Sequence, residues 1–289
     1  MASRTLPRLR HRACRANGRL FTYGEANSCA LAEDGDDPTI VLIHGWGLAH
    51  SSYRRAAEAL AAKGFRVLVP DLPGFGWTGD LRRSDVNFAN YAGAVADFID
   101  AVVQAHPAPG GRRKVHIVGH SFGGAVGAQL AHDIPELVES LTLVAAASGA
   151  TWSRDDLVER LMAERPLWDW ALHLLSEFPL KEFPVAAAPV FRDLGHNLIW
   201  HLPSVALAAH ITRHSDLRSE LSAVVAAGIP VNVIRACDDG VVPQACFDDQ
   251  CLAAGCTGVV VDGNHGWPLT DPDAFARVIS DLVGPPVAG

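Results

Sequence analysis

Residues 115–124 read Val-His-Ile-Val-Gly-His-Ser-Phe-Gly-Gly, and this stretch decides the fold. The apolar, β-branched start is typical of a buried strand, and the small residues that follow, at 124–131, are typical of a helix. Between them lies a G-x-S-x-G turn centred on Ser121. Such a turn strains its central residue and lifts that side chain clear of the sheet, and a Cβ at the flanking glycines would strike a neighbouring strand or helix. The stretch therefore predicts a strand, a sharp turn and a helix, with Ser121 as a candidate nucleophile.

Composition excludes several classes of protein. The chain has 289 residues and is 49% apolar, which is enough for one large α/β domain or two small ones. It carries 24 Lys and Arg against 32 Asp and Glu, and the resulting net charge of −8 argues against nucleic-acid binding. No run approaches the ~20 apolar residues that span a bilayer, so no transmembrane helix is expected.

The N-terminus and the cysteines bear on location. Six arginines precede Glu25 without the apolar core of a secretory signal, and Asn17-Gly18 is a strong two-residue turn. We therefore expect a hairpin here rather than a transit peptide. The six cysteines lack the C-x-x-C spacing of a zinc or redox site, so free thiols in a cytoplasmic protein are expected.

Strand and helix patterns alternate along most of the chain. Strands are predicted at 39–43, 65–69, 115–118, 141–145, 230–234 and 258–261. Helices are predicted from Ser51 or Ser52 as N-cap to Lys63, and at 88–105, 216–227 and 271–282. Alternation of this kind predicts an α/β fold with a mostly parallel central sheet and helices on both faces. Functional loops in such sheets gather at the carboxyl ends of the strands.

Between residues 149 and 215 the pattern changes. No strand is predicted there, and five prolines break the helical pieces (Pro166, Pro179, Pro184, Pro189 and Pro203). This 149–215 segment is predicted to be a helical insertion over the strand ends, so that residues 1–148 and 216–289 form the core. Trp168, Trp170 and Trp200 are candidates for lining a ligand pocket, because such pockets are mostly apolar and aromatic. Packing within the insertion is their alternative role.

Three residues that follow predicted strands have complementary chemistry. A serine hydroxyl becomes a good nucleophile when an imidazole takes its proton, and a carboxylate behind the imidazole orients it. Ser121, an aspartate at 238 or 239, and His265 occur in that order, and His265 is the only histidine after His214. His210 and His214 have the spacing of a metal-binding pair, but no following Glu completes a metallohydrolase pattern, so no metal site is predicted.

Five ordered motifs carry a family resemblance: H-G-W-G at 44–47, D-L-P-G-F-G at 71–76, G-H-S-F-G-G at 119–124, D-G-V-V-P at 239–243 and N-H-G-W-P at 264–268. On these motifs the chain resembles the α/β-hydrolase fold family, in particular its lid-bearing esterases, lipases and C–C hydrolases. The resemblance extends over about residues 38–147 and 216–286. It does not reach the 149–215 segment, where substrate preference usually resides.

The resemblance implies a catalytic site. Ser121 would be the nucleophile and His265 the base, and family spacing places the acid four residues before the proline, which favours Asp239 over Asp238. The backbone N–H groups of Trp46 and Phe122 would form the oxyanion hole, and the Trp46 side chain would line the acyl pocket or only pack. His44 and His120 are expected to orient loops rather than act as bases.

The resemblance also implies a reaction and leaves rivals open. The expected substrate is a small carboxylic ester or lactone with apolar groups, cleaved without a metal or organic cofactor by a monomer or homodimer under a helical lid. One rival keeps the machinery but cleaves a C–C bond of a ring-cleavage product, with Arg192 or Arg213 binding the carboxylate, or cleaves an amide. A rival of another class is a hydrolase-like ligand receptor, because fold alone does not settle function.

Overall fold

The computed structural model describes residues 7–28, 38–105, 112–155, 158–166, 169 and 187–284. The strands in these residues are β1 (Arg10–Ala16), β2 (Arg19–Ala26), β3 (Thr39–Ile43), β4 (Arg66–Pro70), β5 (Val115–His120), β6 (Val138–Val144), β7 (Thr151–Asp155), β8 (Val158–Leu161), β9 (Val231–Ala236) and β10 (Val259–Val261). The α-helices are α1 (Arg54–Ala62), α2 (Phe88–Val102), α3 (Phe122–Asp133), α4 (Ala188–Trp200), α5 (Leu202–Arg213), α6 (Arg218–Ala226), α7 (Gln244–Ala254), α8 (Trp267–Thr270) and α9 (Pro272–Val283).

One large sheet organises the molecule. Its strand order is β1-β2-β4-β3-β5-β6-β9-β10, with β5 between β3 and β6. The pairs β1–β2 and β2–β4 are antiparallel, and every pair from β4 to β10 is parallel. The predicted mostly parallel α/β sheet is confirmed, with a hairpin added at one edge.

Helices cover both faces of the sheet, and β3 shows why its sequence is apolar throughout. Val41 and Ile43 belong to the core cluster that contains α2, α3 and α6, whereas Ile40 and Leu42 belong to the cluster that contains α1 and α9. Successive side chains of a strand point to opposite faces, so a strand covered on both sides needs apolar residues at every position.

The N-terminal hairpin forms as the turn residues predict. Asn17 and Gly18 have φ values of 45° and 79°, and Ala16 pairs with Arg19 across the turn. Positive φ at both central residues gives the right-handed twist that a two-residue hairpin requires. The hairpin extends the sheet through β2, which pairs with β4.

The predicted N-cap of the first helix is wrong. The helix α1 begins at Arg54 with Tyr53 as N-cap, and no side chain caps it. The hydroxyl groups of Ser51 and Ser52 donate hydrogen bonds to the carboxylate of Asp193 in α4 instead. A tertiary partner thus replaces the local capping bond that the sequence predicts.

The prediction that the 149–215 segment contains no strand is also wrong. Strands β7 and β8 form a separate antiparallel ladder in which Thr151 pairs with Leu161. Strand β8 is exposed along its length, so it lacks the apolar alternation by which a half-buried strand is recognised. The described residues of this segment also contain α4 and α5, while Trp168 and Trp170 lie outside the described residues. The division of the chain at residues 148 and 216 stays a prediction.

Candidate active site

Ser121 lies in a strained turn at the carboxyl end of β5. Its φ and ψ are 54° and −118°, a combination that side-chain-bearing residues rarely adopt. Its N–H donates to the Val144 carbonyl at 2.9 Å, and its own carbonyl accepts from the N–H groups of Gly124 and Ala147 at 2.9 and 3.1 Å. These bonds fasten the turn between β6 and α3.

The glycines around Ser121 are sterically required. A Cβ on Gly119 would lie 2.4 Å from the Gly123 carbonyl oxygen, and one on Gly123 would lie 2.3 Å from the Ile43 carbonyl oxygen. A Cβ on Gly124 would lie 2.4 Å from the Ala146 Cβ. The first two obstacles are backbone atoms of neighbouring elements, which is the close approach that the sequence pattern predicts.

His265 and Asp239 meet at the same edge of the sheet. Asp239 follows β9 and His265 follows β10, and the imidazole Nδ1 lies 3.0 Å from one carboxylate oxygen and 3.2 Å from the other. Backbone bonds join their loops, from Cys237 N to Val261 O at 2.8 Å and from Asp238 N to Gly263 O at 2.9 Å. Asp238 is exposed, so the structure pairs His265 with Asp239 and not with Asp238.

The acid loop, defined as residues 237–243, holds Asp239 as a carboxylate. Asp239 is 4% exposed, and its Oδ1 accepts hydrogen bonds from the N–H groups of Val241 and Val242 at 2.9 and 2.8 Å. Burial by itself raises the pKa of Asp239, but His265 and these two N–H groups outweigh it and hold the pKa below the usual range. An ionised Asp239 accepts the Nδ1–H of His265, so the Nε2 of the neutral ring is free of a proton and can act as a base.

His120 joins the two sides of the site through buried hydrogen bonds. Its Nε2 donates to the His265 carbonyl at 2.9 Å, and its Nδ1 accepts from the Tyr53 hydroxyl. Tyr53 in turn accepts the Gly45 N–H at 2.9 Å. Burial, with a further contribution from neighbouring His265, lowers the pKa of His120 to about 3, so the ring is neutral at physiological pH. The sequence analysis does not predict Tyr53 as part of this network, because no local motif marks it.

His44 orients the loop after β3. It is fully buried, its Nδ1 donates to the Gly45 carbonyl at 2.9 Å, and its Nε2 accepts the Leu72 N–H at 3.0 Å. Burial lowers its pKa. These contacts and those of His120 agree with the prediction that both histidines orient loops.

The two residues predicted to supply oxyanion donors belong to segments that contact Ser121. A Cβ on Gly45, the residue before Trp46, would lie 3.5 Å from the Ser121 Cβ, so this loop lies against the turn. Phe122 is the first residue of α3, where the backbone N–H has no helical partner and the helix dipole is positive. The buried Phe122 ring packs edge-on against Tyr91, with 5.2 Å between centroids.

The Trp46 side chain contacts the 149–215 segment. Its indole N–H donates to the Val205 carbonyl of α5 at 2.8 Å, and the ring is half-buried. The loop that carries one predicted oxyanion donor is therefore attached to a helix of that segment.

Two buried polar residues of α4 add further attachments, and sequence reasoning missed both. Asn197 accepts the Gly76 N–H and donates to the Gly47 carbonyl, both at 2.8 Å. Asp193 accepts from both serines before α1. No local sequence motif marks either residue, since burial of a polar side chain in a helix depends on the partners that the fold supplies.

Trp200 and Arg192, two further residues predicted to contact substrate, are exposed. Trp200 is 69% exposed at the end of α4, beside the equally exposed Ile199, so the described residues do not bury it against a pocket. Arg192, expected to bind a carboxylate in one rival function, is 67% exposed and lies 3.6 Å from Asp193. Among the described residues, no group of three or more His, Cys, Asp or Glu could hold a metal ion.

The five cysteines within the described ranges are free thiols (Cys14, Cys237, Cys246, Cys251 and Cys256). None of the helices in those ranges is both long and apolar enough to span a membrane.

Comparison with known proteins identifies the family of this chain. A family model for the alpha/beta hydrolase fold matches residues 38–186. The pimeloyl-(acyl-carrier protein) methyl ester esterase of Aeromonas salmonicida is 33% identical over 89% of this chain and 100% of its own length. The chain therefore belongs to the α/β-hydrolase fold family.

Two further relatives extend the comparison. An uncharacterized protein of Mycobacterium tuberculosis is 35% identical over 59% of this chain, and the match spans only 47% of that protein's length. The crystal structure of the enol-lactonase from Burkholderia xenovorans LB400 superposes with a TM-score of 0.73, covering 94% of this chain and 99% of its own at 23% identity. The latter similarity is one of fold.

Proposed function

We propose that this protein is a serine hydrolase that cleaves a carboxylic ester or lactone bearing apolar groups. The observation that carries the proposal is the juxtaposition at one sheet edge of a strained serine and a buried histidine–aspartate pair. His265 lies beside the turn, because its ring centroid is 4.9 Å from that of His120, the residue before Ser121. The names of the esterase and enol-lactonase relatives support an ester or lactone bond as the target.

The proposed reaction has two halves. The Ser121 oxygen attacks the carbonyl carbon as its proton passes to His265 Nε2, and the negative oxygen of the tetrahedral intermediate accepts the N–H groups of Trp46 and Phe122. The imidazolium then protonates the departing alkoxide, leaving an acyl group on Ser121. Water, deprotonated by His265, attacks the acyl carbon, and the proton returns to Ser121 as the acid leaves. Asp239 stabilises the imidazolium in both halves.

The proposed scheme needs no cofactor. Every proton transfer runs through His265, and the developing negative charge is met by backbone N–H groups. Action on small molecules, a cytoplasmic location, a lid role for the 149–215 segment and a monomeric or dimeric state remain parts of the proposal.

Hydrolysis of p-nitrophenyl esters of increasing acyl length tests the proposal. The wild-type protein is expected to turn over at least the shorter esters, and Ser121→Ala is expected to reduce kcat by roughly 10⁴-fold or more. Ser84→Ala is the matched control, because the exposed Ser84 hydroxyl donates to neighbouring Asp85 on the surface. A fluorophosphonate should label the wild-type protein and Ser84→Ala, but not Ser121→Ala, with one adduct by mass spectrometry.

Two outcomes would overturn the proposal. Ester hydrolysis that survives Ser121→Ala would remove Ser121 from the mechanism. A folded wild-type protein that cleaves no ester or lactone would shift the function to C–C or amide hydrolysis, or to ligand reception. Turnover of a coloured ring-cleavage product, or ligand-dependent thermal stabilisation without turnover, would then separate those rivals.

A further inference from the structure

Arg165 is a buried arginine beside the acid loop. It follows β8 and lies in the 149–215 segment, and only 2% of its surface is exposed. Its Nη2 donates to the Gly240 carbonyl at 2.7 Å, its Nη1 donates to the Val241 carbonyl, and its Nε donates to Asp169 at 2.6 Å. A charged group is costly to bury, and a buried guanidinium is stabilised only where its fork of donors meets such acceptors.

The two carbonyl groups that Arg165 binds belong to the peptide groups that bind Asp239. In the peptide group between residues 240 and 241, the C=O accepts a hydrogen bond from the guanidinium, and the N–H donates one to Asp239 Oδ1. The next peptide, between residues 241 and 242, is shared in the same way. Two parallel bridges of the form guanidinium, peptide group, carboxylate therefore connect Arg165 to Asp239.

These bridges have a mechanical and an electrostatic effect. Both peptide planes are fixed at each end, so the carboxylate that faces His265 is held in one orientation. The peptide dipoles also point their positive ends at Asp239, and the guanidinium at their negative ends strengthens both N–H donors through polarisation. Such support favours the ionised carboxylate and, through it, the orientation of His265.

Stacking on Trp152 does not explain the placement of Arg165. Both Arg160 and Arg165 place their guanidinium carbon 6.0 Å from the centre of the Trp152 ring. Arg160 is exposed, whereas Arg165 is buried against the acid loop. Arg165 differs from Arg160 in its hydrogen bonds to the Gly240 and Val241 carbonyls and to Asp169.

We propose that Arg165 is a positioning residue. Through the two peptide groups at 240–242 it holds the Asp239 carboxylate, and with it the His265 ring, in the orientation that catalysis requires. This inference rests on the proposed function for the roles of Asp239 and His265. It also makes the 149–215 segment a structural part of the catalytic centre, because Arg165 is contributed by that segment while the acid loop belongs to the sheet.

Proton NMR tests the inference without reference to activity. The proton between His265 Nδ1 and Asp239 is buried and charge-assisted, so it should resonate far downfield of other imidazole protons and exchange slowly. Asp239→Asn assigns the signal by abolishing it. We expect Arg165→Met to shift the signal upfield and accelerate its exchange, Arg165→Lys to have a smaller effect, and Arg160→Met to leave it unchanged.

Kinetics on the best p-nitrophenyl ester supply the second readout. Arg165→Met should lower kcat by roughly tenfold to a hundredfold, the range for loss of charge-assisted hydrogen bonds, with KM changed less than twofold. In the Asp239→Asn background the same substitution should have little further effect, because the carboxylate through which Arg165 acts is gone. Arg160→Met should retain wild-type kcat.

Each outcome decides the inference. A wild-type exchange rate and kcat in folded Arg165→Met, or an equal loss of kcat in both backgrounds, would overturn it. If Arg165→Met does not fold, Arg165→Lys is tested instead, because one ammonium group cannot replace both guanidinium hydrogen bonds to the two carbonyl groups. A wild-type exchange rate and a wild-type kcat in Arg165→Lys would then contradict the inference. If the wild-type protein hydrolyses no ester but the NMR signal responds as expected, the proposed function fails while the positioning role stands.

Discussion

Asp238 and Asp239 are adjacent in the chain, yet they have opposite environments. Asp239 is buried, and its carboxylate accepts hydrogen bonds from His265 and from two backbone N–H groups. Asp238 is exposed. Only a buried carboxylate in contact with the imidazole can select its tautomer and stabilise the imidazolium. The difference between the two residues is therefore a direct test of the proposed acid.

Asp239→Asn should lower kcat by roughly 10³- to 10⁴-fold, because an asparagine amide can hold the wrong imidazole tautomer. Asp238→Asn should change kcat less than about twofold, since an exposed aspartate makes no contact on which the chemistry depends. Ester turnover by the two purified variants checks this. Equal losses in both would show that the acid loop, and not one carboxylate, is what matters.

His120 gives stability a pH dependence whose sign follows from its burial. Its folded pKa of about 3 lies below the value of 6.5 for an unperturbed histidine, so the unfolded chain binds this proton first as the pH falls. The stabilising contribution is complete above pH 6.5 and is lost progressively as the pH falls towards 3, at up to about 1.4 kcal/mol per pH unit. His120→Asn should therefore show a shallower loss of unfolding free energy between pH 6.5 and 4.5, although buried His44 keeps some slope. Urea unfolding at several pH values measures both slopes, and parallel slopes would contradict the expectation.

At the scale of elements, the junction of β5 and α3 depends on close backbone contact. The strand and the helix lie against each other, and the helix also lies against the end of β3 and against Ala146 after β6. The three glycines around Ser121 therefore have no room for a Cβ. Small residues here allow the turn to project Ser121 while its flanks stay packed. The strain at Ser121 is held by the bonds to Val144 and Ala147.

Gly123→Ala should destabilise the protein by about 1–3 kcal/mol or more, because the new Cβ meets backbone oxygen atoms of Ile43 and His44 at 2.3 and 2.6 Å. The displacement should also lower kcat, since the same loop carries Trp46. Gly93→Ala in α2 is the control: its Cβ has no atom within 4 Å, and helix propensity predicts a gain of about 0.5–1 kcal/mol. Chemical denaturation measures the unfolding free energy of both variants, and equal values for the two would contradict this expectation.

At the scale of the whole molecule, hydrogen bonds of described residues join the 149–215 segment to the catalytic edge. Trp46 bonds to α5, Asn197 and Asp193 bond α4 to the loops after β3 and β4, and Arg165 bonds to the acid loop. These contacts are polar and buried or partly buried, so they need good geometry and oppose displacement of the helices. Substrate access and triad geometry are therefore expected to depend on the same segment.

Asn197→Ala should cost about 1–3 kcal/mol, because it leaves the Gly76 N–H and the Gly47 carbonyl without their buried partner. Loosening α4 should also raise KM more than it lowers kcat and increase cleavage within α4 during limited proteolysis. The matched control is Asn90→Ala, whose exposed side chain bonds to the Asp85 carbonyl and should matter by less than about 0.5 kcal/mol. Unchanged proteolysis of Asn197→Ala would show that α4 is held by other contacts.

The sequence by itself determined the features that short-range stereochemistry governs. The glycines of residues 119–124 predict the strained turn because only glycine fits there, and Asn17-Gly18 predicts a hairpin through its positive φ angles. The continuously apolar β3 predicts a sheet covered on both faces, since each face needs its own apolar side chains.

Only the tertiary structure decided which distant groups meet. The serines before α1 bind Asp193 instead of capping, the exposed β7–β8 ladder forms without an apolar signal, and Arg165 reaches an acid loop about 75 residues away. The bonds to Asp193 and from Arg165 are desolvated polar contacts between segments that are remote in the chain, whereas the β7–β8 ladder is local and its exposed β8 carries no apolar alternation. Local propensity carries no information about such partners, because the free energy of a buried hydrogen bond depends on the acceptor that the fold supplies.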